Sequence, residues 1–360
     1  MVRPVDFTNI EPLLEAAWAV GGSDLLITAG SPPRVRVDGS LEPLAGEEWM
    51  SGTAVEDLVL GMLDDERRTA FRAAKELDFA FPWRDRARCR GNVFFQSSEV
   101  ALALRLIPMK IPSFQELRLP PALADLCSRR QGLVLFTGPT GSGKSTSLAA
   151  MIDLVNTSRA CHILTVEDPI EFVHTHKAAA VSQREVGIDT DSFATALRAA
   201  LREDPDVILV GEMRDLETIQ FALTIAETGH LVFATLHTND AAQAVDRLSD
   251  MFPPDRQAQI RVQLAACLTG VVAQRLVPKV GGGMVAAFEI LMATSAVRGL
   301  VREGKTHQLR NAMMGGSADG MQTLEMSLNQ LVAAGMVTVD DAVGRAIHPK
   351  EIRSIVRRAS

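Results

Sequence analysis

Tyrosine is absent from this 360-residue sequence, and aromatic residues of every kind make up only 5%. Proteins that grip single-stranded nucleic acid stack bases on aromatic side chains along a basic groove. Basic excess is lacking too. There are 37 Lys and Arg against 44 Asp and Glu, a formal net charge of −7, with a pI near 5.6. That balance argues against a nucleic-acid binder, and no direct nucleic-acid partner is expected. The four cysteines, Cys89, Cys127, Cys161 and Cys267, lie far apart and form no C-x-x-C pair. A zinc or disulfide framework is therefore not expected, and a reducing cytoplasm fits the pattern. No apolar run approaches the ~18 residues needed to cross a bilayer. The first eleven residues carry acids and no apolar core, so no secretory leader is expected. Repeats and low-complexity tracts are missing as well.

What is present is concentrated in one stretch, Gly138-Pro139-Thr140-Gly141-Ser142-Gly143-Lys144-Ser145, followed by Thr146. It fits G-x-x-x-x-G-K-[ST]. Glycines let such a loop approach phosphate closely and take positive φ, so that backbone N–H groups can surround the anion. Lys144 would reach the β- and γ-phosphates of ATP, and the Ser145 hydroxyl would bind Mg²⁺. Before the loop, residues 132–137 form a short apolar run of the length of a buried strand. After it, Leu148, Met151, Ile152 and Val155 recur at helical spacing. Strand, glycine loop and helix is the order this motif requires, and the helix N-terminus favours the anion.

Ahead of that motif, residues 5 to about 20 show helical spacing through Ile10, Leu13, Leu14, Ala17 and Trp18. Residues 24–28 and 34–37 read as strands around the turn Gly30-Ser31-Pro32-Pro33. A helix through Leu58, Leu60, Met62 and Leu63 follows, then strands at 77–81, 88–95 and 101–107. This mixture without strict βαβ alternation predicts an α+β domain over 1–107. Pro108, Pro112, Pro120 and Pro121 mark 108–121 as a linker, which leaves 122–360 for the nucleotide-binding domain and a C-terminal helical region.

Within that second part, 161–166, 207–210 and 231–236 are short apolar runs, and 192–202 is an amphipathic helix. Their alternation predicts a parallel sheet with helices on both faces. Polar residues follow the strands, where open α/β sheets bind ligands. DPDVILVGE at 204–212 fits a Walker B strand that brings Glu212 to the Mg²⁺ side of the phosphates. Glu167 and Asp168 end the 161–166 run in the same manner. Hydrolysis needs a carboxylate to orient or deprotonate water, and Glu167 and Glu212 are the two candidates. Spacing leaves open which is the base and which serves the metal. His230 and His237 bracket the last run, and His237, at the tip, is the better placed to sense a γ-phosphate.

These motifs add up to a family resemblance. The chain resembles the PilT-type ATPases of type IV pilus systems, within the secretion ATPases. The resemblance rests on GPTGSGKST (138–146), TVEDPIEF (165–172), DPDVILVGEMRD (204–215) and TGHLVFATLHTN (228–239). It extends through AVRGLVRE (296–303), similar to the family's AIRNLIRE, and GMQTLEMSLNQL (320–331). It implies an α/β fold: a RecA-like P-loop ATPase domain behind an N-terminal α+β (PAS-like) domain. It also implies a cytoplasmic homohexamer at the inner face of the inner membrane, driving pilus retraction by ATP hydrolysis. The implied partners are an inner-membrane platform protein and a paralogous pilus motor. Arg88, Arg90 and Arg105 match arginines that meet the nucleotide across the domain gap, which completes a catalytic set of Lys144, Glu167, Glu212 and His237. Pilus-assembly and type II secretion ATPases are the alternative. Those carry a longer N-terminal region and a four-cysteine insert, and this chain has neither. In AVRGLVRE, Gly299 stands where the family usually has asparagine, and Arg298 and Arg302 are the candidates for passing motion to a partner.

Overall fold

The structure, a computed structural model, describes residues 9–37 and 39–352. The chain divides into two units, Met1–Lys110 and Ile111–Ser360. In the first, helix α1 (Glu11–Ala19) precedes strands β1 (Asp24–Ile27), β2 (Arg34–Val37) and β3 (Ser40–Pro43). Helices α2 (Gly52–Met62) and α3 (Asp65–Ala74) lead into strands β4 (Glu76–Trp83), β5 (Ala87–Gln96) and β6 (Glu99–Pro108). The part of the first expected helix before residue 9 lies outside the described residues. The six strands pair in the order β3-β2-β1-β6-β5-β4, antiparallel throughout. Along β5, buried and more exposed residues alternate from Ala87 to Phe94. One face of a half-buried antiparallel strand faces the core, which here joins Cys89 and Val93 to Leu14, Val59, Phe71 and Trp83. Ser51 and Asp64 cap α2 and α3 by accepting from the backbone N–H of Ala54 and Arg67.

The second unit runs α4 (Pro121–Cys127), β7 (Gly132–Thr137), α5 (Lys144–Ser158), β8 (His162–Glu167) and β9 (Ala180–Glu185). It continues with α6 (Phe193–Ala200), β10 (Val207–Val210), α7 (Leu216–Glu227), β11 (Leu231–Leu236), α8 (Ala241–Asp250) and α9 (Pro254–Cys267). Strands β12 (Leu268–Pro278) and β13 (Met284–Met292) follow, then α10 (Ser295–Arg302), α11 (Leu309–Gly315), α12 (Leu324–Ala333) and α13 (Val339–Arg345). Its seven strands lie in the order β13-β12-β7-β11-β10-β8-β9. All neighbours are parallel except the β12–β13 pair. Every residue of β7, β10 and β11 is buried. Strands of a parallel sheet covered on both faces are expected to be apolar throughout, and these three are nearly so.

Register decides where the polar residues go. Thr137 lies opposite Leu236, and Val210 lies opposite both Ala234 and Val166. The carboxyl ends of β7, β8, β10 and β11 therefore come out level, and the loops that follow them leave from one edge. Phe114, Leu117 and Leu119, in the proline-rich stretch 108–121, pack with this unit's core. A smaller core of Val277, Ala287, Leu324, Leu328, Val337 and Ala342 joins β12 and β13 to the last helices. Among the described residues no helix is long and apolar enough to cross a membrane. Arg353, Arg357 and Arg358, near the end of the sequence, lie outside the described residues.

Candidate functional site

The glycine loop leaves β7 and ends where α5 begins. Gly138, Gly141 and Gly143 have φ of 144°, 77° and 83°, values that side chains with a Cβ rarely adopt. Gly143 is the N-cap of α5, and no side chain caps that helix end. The first-turn N–H groups of a helix have no partner within the helix, so this end is set up for an anion. Leu148, Met151, Ile152 and Val155 on α5 are all buried, as their spacing predicts. Lys144 is only 8% exposed and folds back over its own loop. Its Nζ donates to the carbonyls of Gly138 at 2.8 Å and Pro139 at 3.1 Å. Burial pushes its pKa below the usual lysine value, against the raising influence of Glu212 and Glu171.

Two carboxylates stand at the same edge, in opposite electrostatic situations. Glu167, the last residue of β8, accepts from Thr165 Oγ1 at 2.7 Å and from Gln183 Nε2 at 3.2 Å. Burial nonetheless wins, and holds its pKa above the usual glutamate value. Glu212 follows β10 and Gly211. It pairs with Arg214 at 2.6 Å and with His237 Nε2 at 3.2 Å. Burial raises its pKa, but Arg214 and His237 together outweigh burial and leave it below the usual value. Ser145 and Glu167 line one cavity of about 40 Å³ with Gly211, Thr235 and His174. A second link holds the edge together: Thr137 Oγ1 accepts from the Thr238 N–H at 2.9 Å and sits 2.7 Å from the Thr238 hydroxyl.

Of the residues named from sequence, 138–146, Glu167, Glu212 and His237 therefore gather at one end of one sheet. Arg88, Arg90 and Arg105 belong to the other unit. Arg90 pairs directly with Arg105 across β5 and β6, and Arg88 is two residues from Arg90, so all three share one face of that sheet. Arg105 donates to Asp24 at 2.8 Å. His230 lies at the start of β11, away from the loop, bonded to the carbonyl of Ile225 at 3.0 Å. Sequence reasoning missed Gln183 and Gln274, which contact site residues and lie outside every motif, and gave no role to Arg214, which lies inside DPDVILVGEMRD. The signal for Arg214 is its place two residues beyond Glu212, with which it pairs.

Arg298 has a structural part of its own in the second unit. Its guanidinium donates to Ala293 at 3.0 Å and Ala265 at 2.9 Å, and to Ala266, carbonyls at the end of α9 and before α10. A cation over the last carbonyls of a helix satisfies orphan acceptors and complements the dipole. Arg298 is thus an internal brace; Arg302 is exposed, and a Cβ on Gly299 would meet open space. Arg298 also lines a cavity of about 400 Å³ with Gly132, Glu227 and Thr269, and none of the glycine-loop residues 138–146 is among its lining. Arg298→Ala is expected to lower stability by roughly 1.5–3 kcal/mol and to reduce ATPase activity and cellular function together. An unchanged Tm with normal ATPase and failed cellular function would return Arg298 to a coupling role.

A glycine loop between a buried strand and a helix, a buried lysine and two strand-end carboxylates on a covered parallel sheet define a P-loop ATPase of the α/β class. The chain belongs to the family described as Type II/IV secretion system protein, which matches residues 99–316. It is 47% identical over 347 residues to the type IV pilus retraction ATPase PilT of Pseudomonas aeruginosa, covering 95% of this chain and 99% of that one. It is 42% identical to the type IV pilus ATPase PilU of the same organism, over 98% of this chain and 92% of the relative. Among solved structures, the pilus retraction motor PilT with bound ADP superposes with a TM-score of 0.87 at 47% identity. That match covers 95% of this chain and 98% of the other.

Proposed function

We propose that this chain is a motor that hydrolyses ATP to retract type IV pili, working as a homohexamer at the cytoplasmic face of the inner membrane. The observation that carries the reading is full-length similarity to a named retraction ATPase, with Lys144, Glu167 and Glu212 in place at one sheet edge. The donor set fits a Mg²⁺–nucleotide complex. Ser142 Oγ within the loop is buried without a hydrogen-bond partner, and the Lys144 ammonium bonds to the carbonyls of Gly138 and Pro139, so anionic phosphate suits both. Among the described residues no group of three or more His, Cys, Asp or Glu gathers to hold a metal by itself. Mg²⁺ on a nucleotide needs only one or two protein ligands besides phosphate oxygens. Ser145 and Glu212 would hold the metal, which neutralises charge on the phosphates when bound.

In this reading Lys144 draws charge off the phosphates while the loop's N–H groups hold them in line. Glu167 orients the attacking water and takes its proton, since a buried carboxyl with a raised pKa is the better base. Glu212, kept ionised by Arg214 and His237, stays on the metal side. His237 follows the state of the γ-phosphate through its bond to Glu212. Arg88, Arg90 and Arg105 are supplied to a nucleotide held by a neighbouring protomer, where an arginine can be worth about 10³–10⁵ in rate. A platform protein in the membrane and a paralogous motor are its working partners.

Deleting the gene and counting surface pili tests the function. More pili are expected; bald cells would mean an assembly motor. Sharing of the site is tested by mixing inactive Lys144→Ala with inactive Arg90→Ala. Turnover should partly recover in mixed oligomers, and its absence in confirmed mixtures would reject a role in trans for Arg90.

A further inference from the structure

We propose that Gln274 on β12 is a positioning residue for the phosphate loop, acting through the Ser142–Gly143 peptide. The inference rests on the nucleotide site proposed above. Strand β12 runs beside β7 with Ala273 opposite Thr137, so Gln274 comes level with Gly138 as the chain enters the loop. Its Nε2 donates to the carbonyl of Ser142 at 2.8 Å, between residues 132 apart in sequence.

A trans peptide is planar, with its C=O and the following N–H pointing in opposite directions. A Ser142 carbonyl held toward β12 therefore turns the Gly143 N–H away from β12, toward the inside of the loop. Gly143 is the N-cap of α5, so this donor stands at the positive end of the helix. The approach is close on both sides. A Cβ on Gly143 would lie 2.9 Å from Gln274 Nε2, and one on Gly138 would collide with the Gln274 carbonyl oxygen. Gly138 and Gly143 thus admit β12 behind the loop as well as an anion in front of it.

Packing alone does not account for this side chain. Gln274 is 2% exposed, and its Oε1 has no hydrogen-bond partner. A half-satisfied buried amide costs stability, and an apolar residue of similar shape can be neutral or better. The amide's use lies in its one directed bond, to the loop.

The test uses the full-length protein and its Gln274→Leu and Gln274→Glu variants, with Lys144→Ala as the reference. ADP dissociation constants, ATP KM, kcat and Tm are measured at pH 8 and pH 6. Gln274→Leu should keep its Tm, weaken ADP binding about 5–30-fold, the equivalent of one lost interaction, and raise KM more than it lowers kcat. Gln274→Glu keeps the shape but sets an acceptor against the Ser142 carbonyl. It should bind ADP more weakly still at pH 8 and recover in part at pH 6 as the carboxyl protonates. Should leucine lower Tm together with affinity, the isosteric glutamate decides. Normal ADP affinity at pH 8 in folded Gln274→Glu, or in folded Gln274→Leu, overturns the inference. If those variants bind normally while Lys144→Ala binds weakly, the nucleotide site stands and only Gln274's part falls. If Lys144→Ala itself binds ADP as well as the parent does, the nucleotide-site reading fails first.

Discussion

Replacing Lys144 by alanine is expected to cut ATP turnover by roughly 10²–10³-fold or more, the cost of removing a preorganised donor from a developing charge. The loss should come without unfolding. Burial lowers the pKa of Lys144, so the folded protein holds the protonated amine less readily than the unfolded chain does. The charge therefore opposes folding at neutral pH, and removing it relieves that cost. What alanine gives up is the aliphatic stem, which Lys144→Met would restore, and the two bonds to the Gly138 and Pro139 carbonyls, which offset part of that relief. Both variants should melt near the parent temperature and both should be inactive. Measured turnover close to that of the parent, in either, would remove Lys144 from the phosphate site and the P-loop reading with it.

The parts of this site that sequence made legible are those that depend on local spacing. Strands β7, β8, β10 and β11 are short apolar runs, and the loop glycines and strand-end acids sit at fixed offsets from them. Strand β9, with sequence AVSQRE, lies at the sheet edge with its burial broken by exposed and half-buried positions, so it carries no apolar run to read. Helix α3, DERRTAFRAA, buries only Phe71 and so offers little apolar surface to read. Strand β12 begins directly after Cys267, where α9 ends, with no glycine or proline between them, so nothing in the local pattern separates the two. Missing β12 also hid Gln274, whose contact with the loop is a product of strand order and not of spacing. The amphipathic helix expected over 192–202 ends sooner, at Ala200, and Leu201 beyond it is exposed. In AVRGLVRE the spacing likewise does not reveal that Arg298 reaches the carbonyls of Ala265, Ala266 and Ala293, because that contact depends on how α9 and α10 pack.

Glu167→Gln and Glu212→Gln should both reduce turnover, by about 10²–10⁴-fold for the residue that serves as base, yet their effects on stability should have opposite signs. Glu167 has a folded pKa raised by burial. A carboxyl of that kind contributes stability below its unfolded pKa, and that contribution is lost as pH rises through the folded value. At neutral pH its charge is a cost, so Gln, which keeps the shape and can still bond to Thr165, should raise Tm. Glu212 is the other case. Its folded pKa is lowered, chiefly by Arg214 and His237 against burial, so its contribution is present above the unfolded pKa and lost as pH falls through the folded one. Glu212→Gln should lower Tm at neutral pH, by little, because Arg214 is largely exposed and solvent screens the pair. Thermal melts at pH 5 and pH 8 read these signs, and the Tm gap between Glu167→Gln and the parent should shrink at the lower pH. The kinetics separate the roles. If Glu167 is the base, the kcat of the parent falls as pH drops through its raised pKa, while ADP affinity in Glu167→Gln stays within a few-fold of the parent's. Should Glu167→Gln turn over ATP normally, or should it lose nucleotide affinity in place of turnover, the base is not Glu167. In the second case the residue acts through the metal, and Glu212 takes its place as the candidate for deprotonating water.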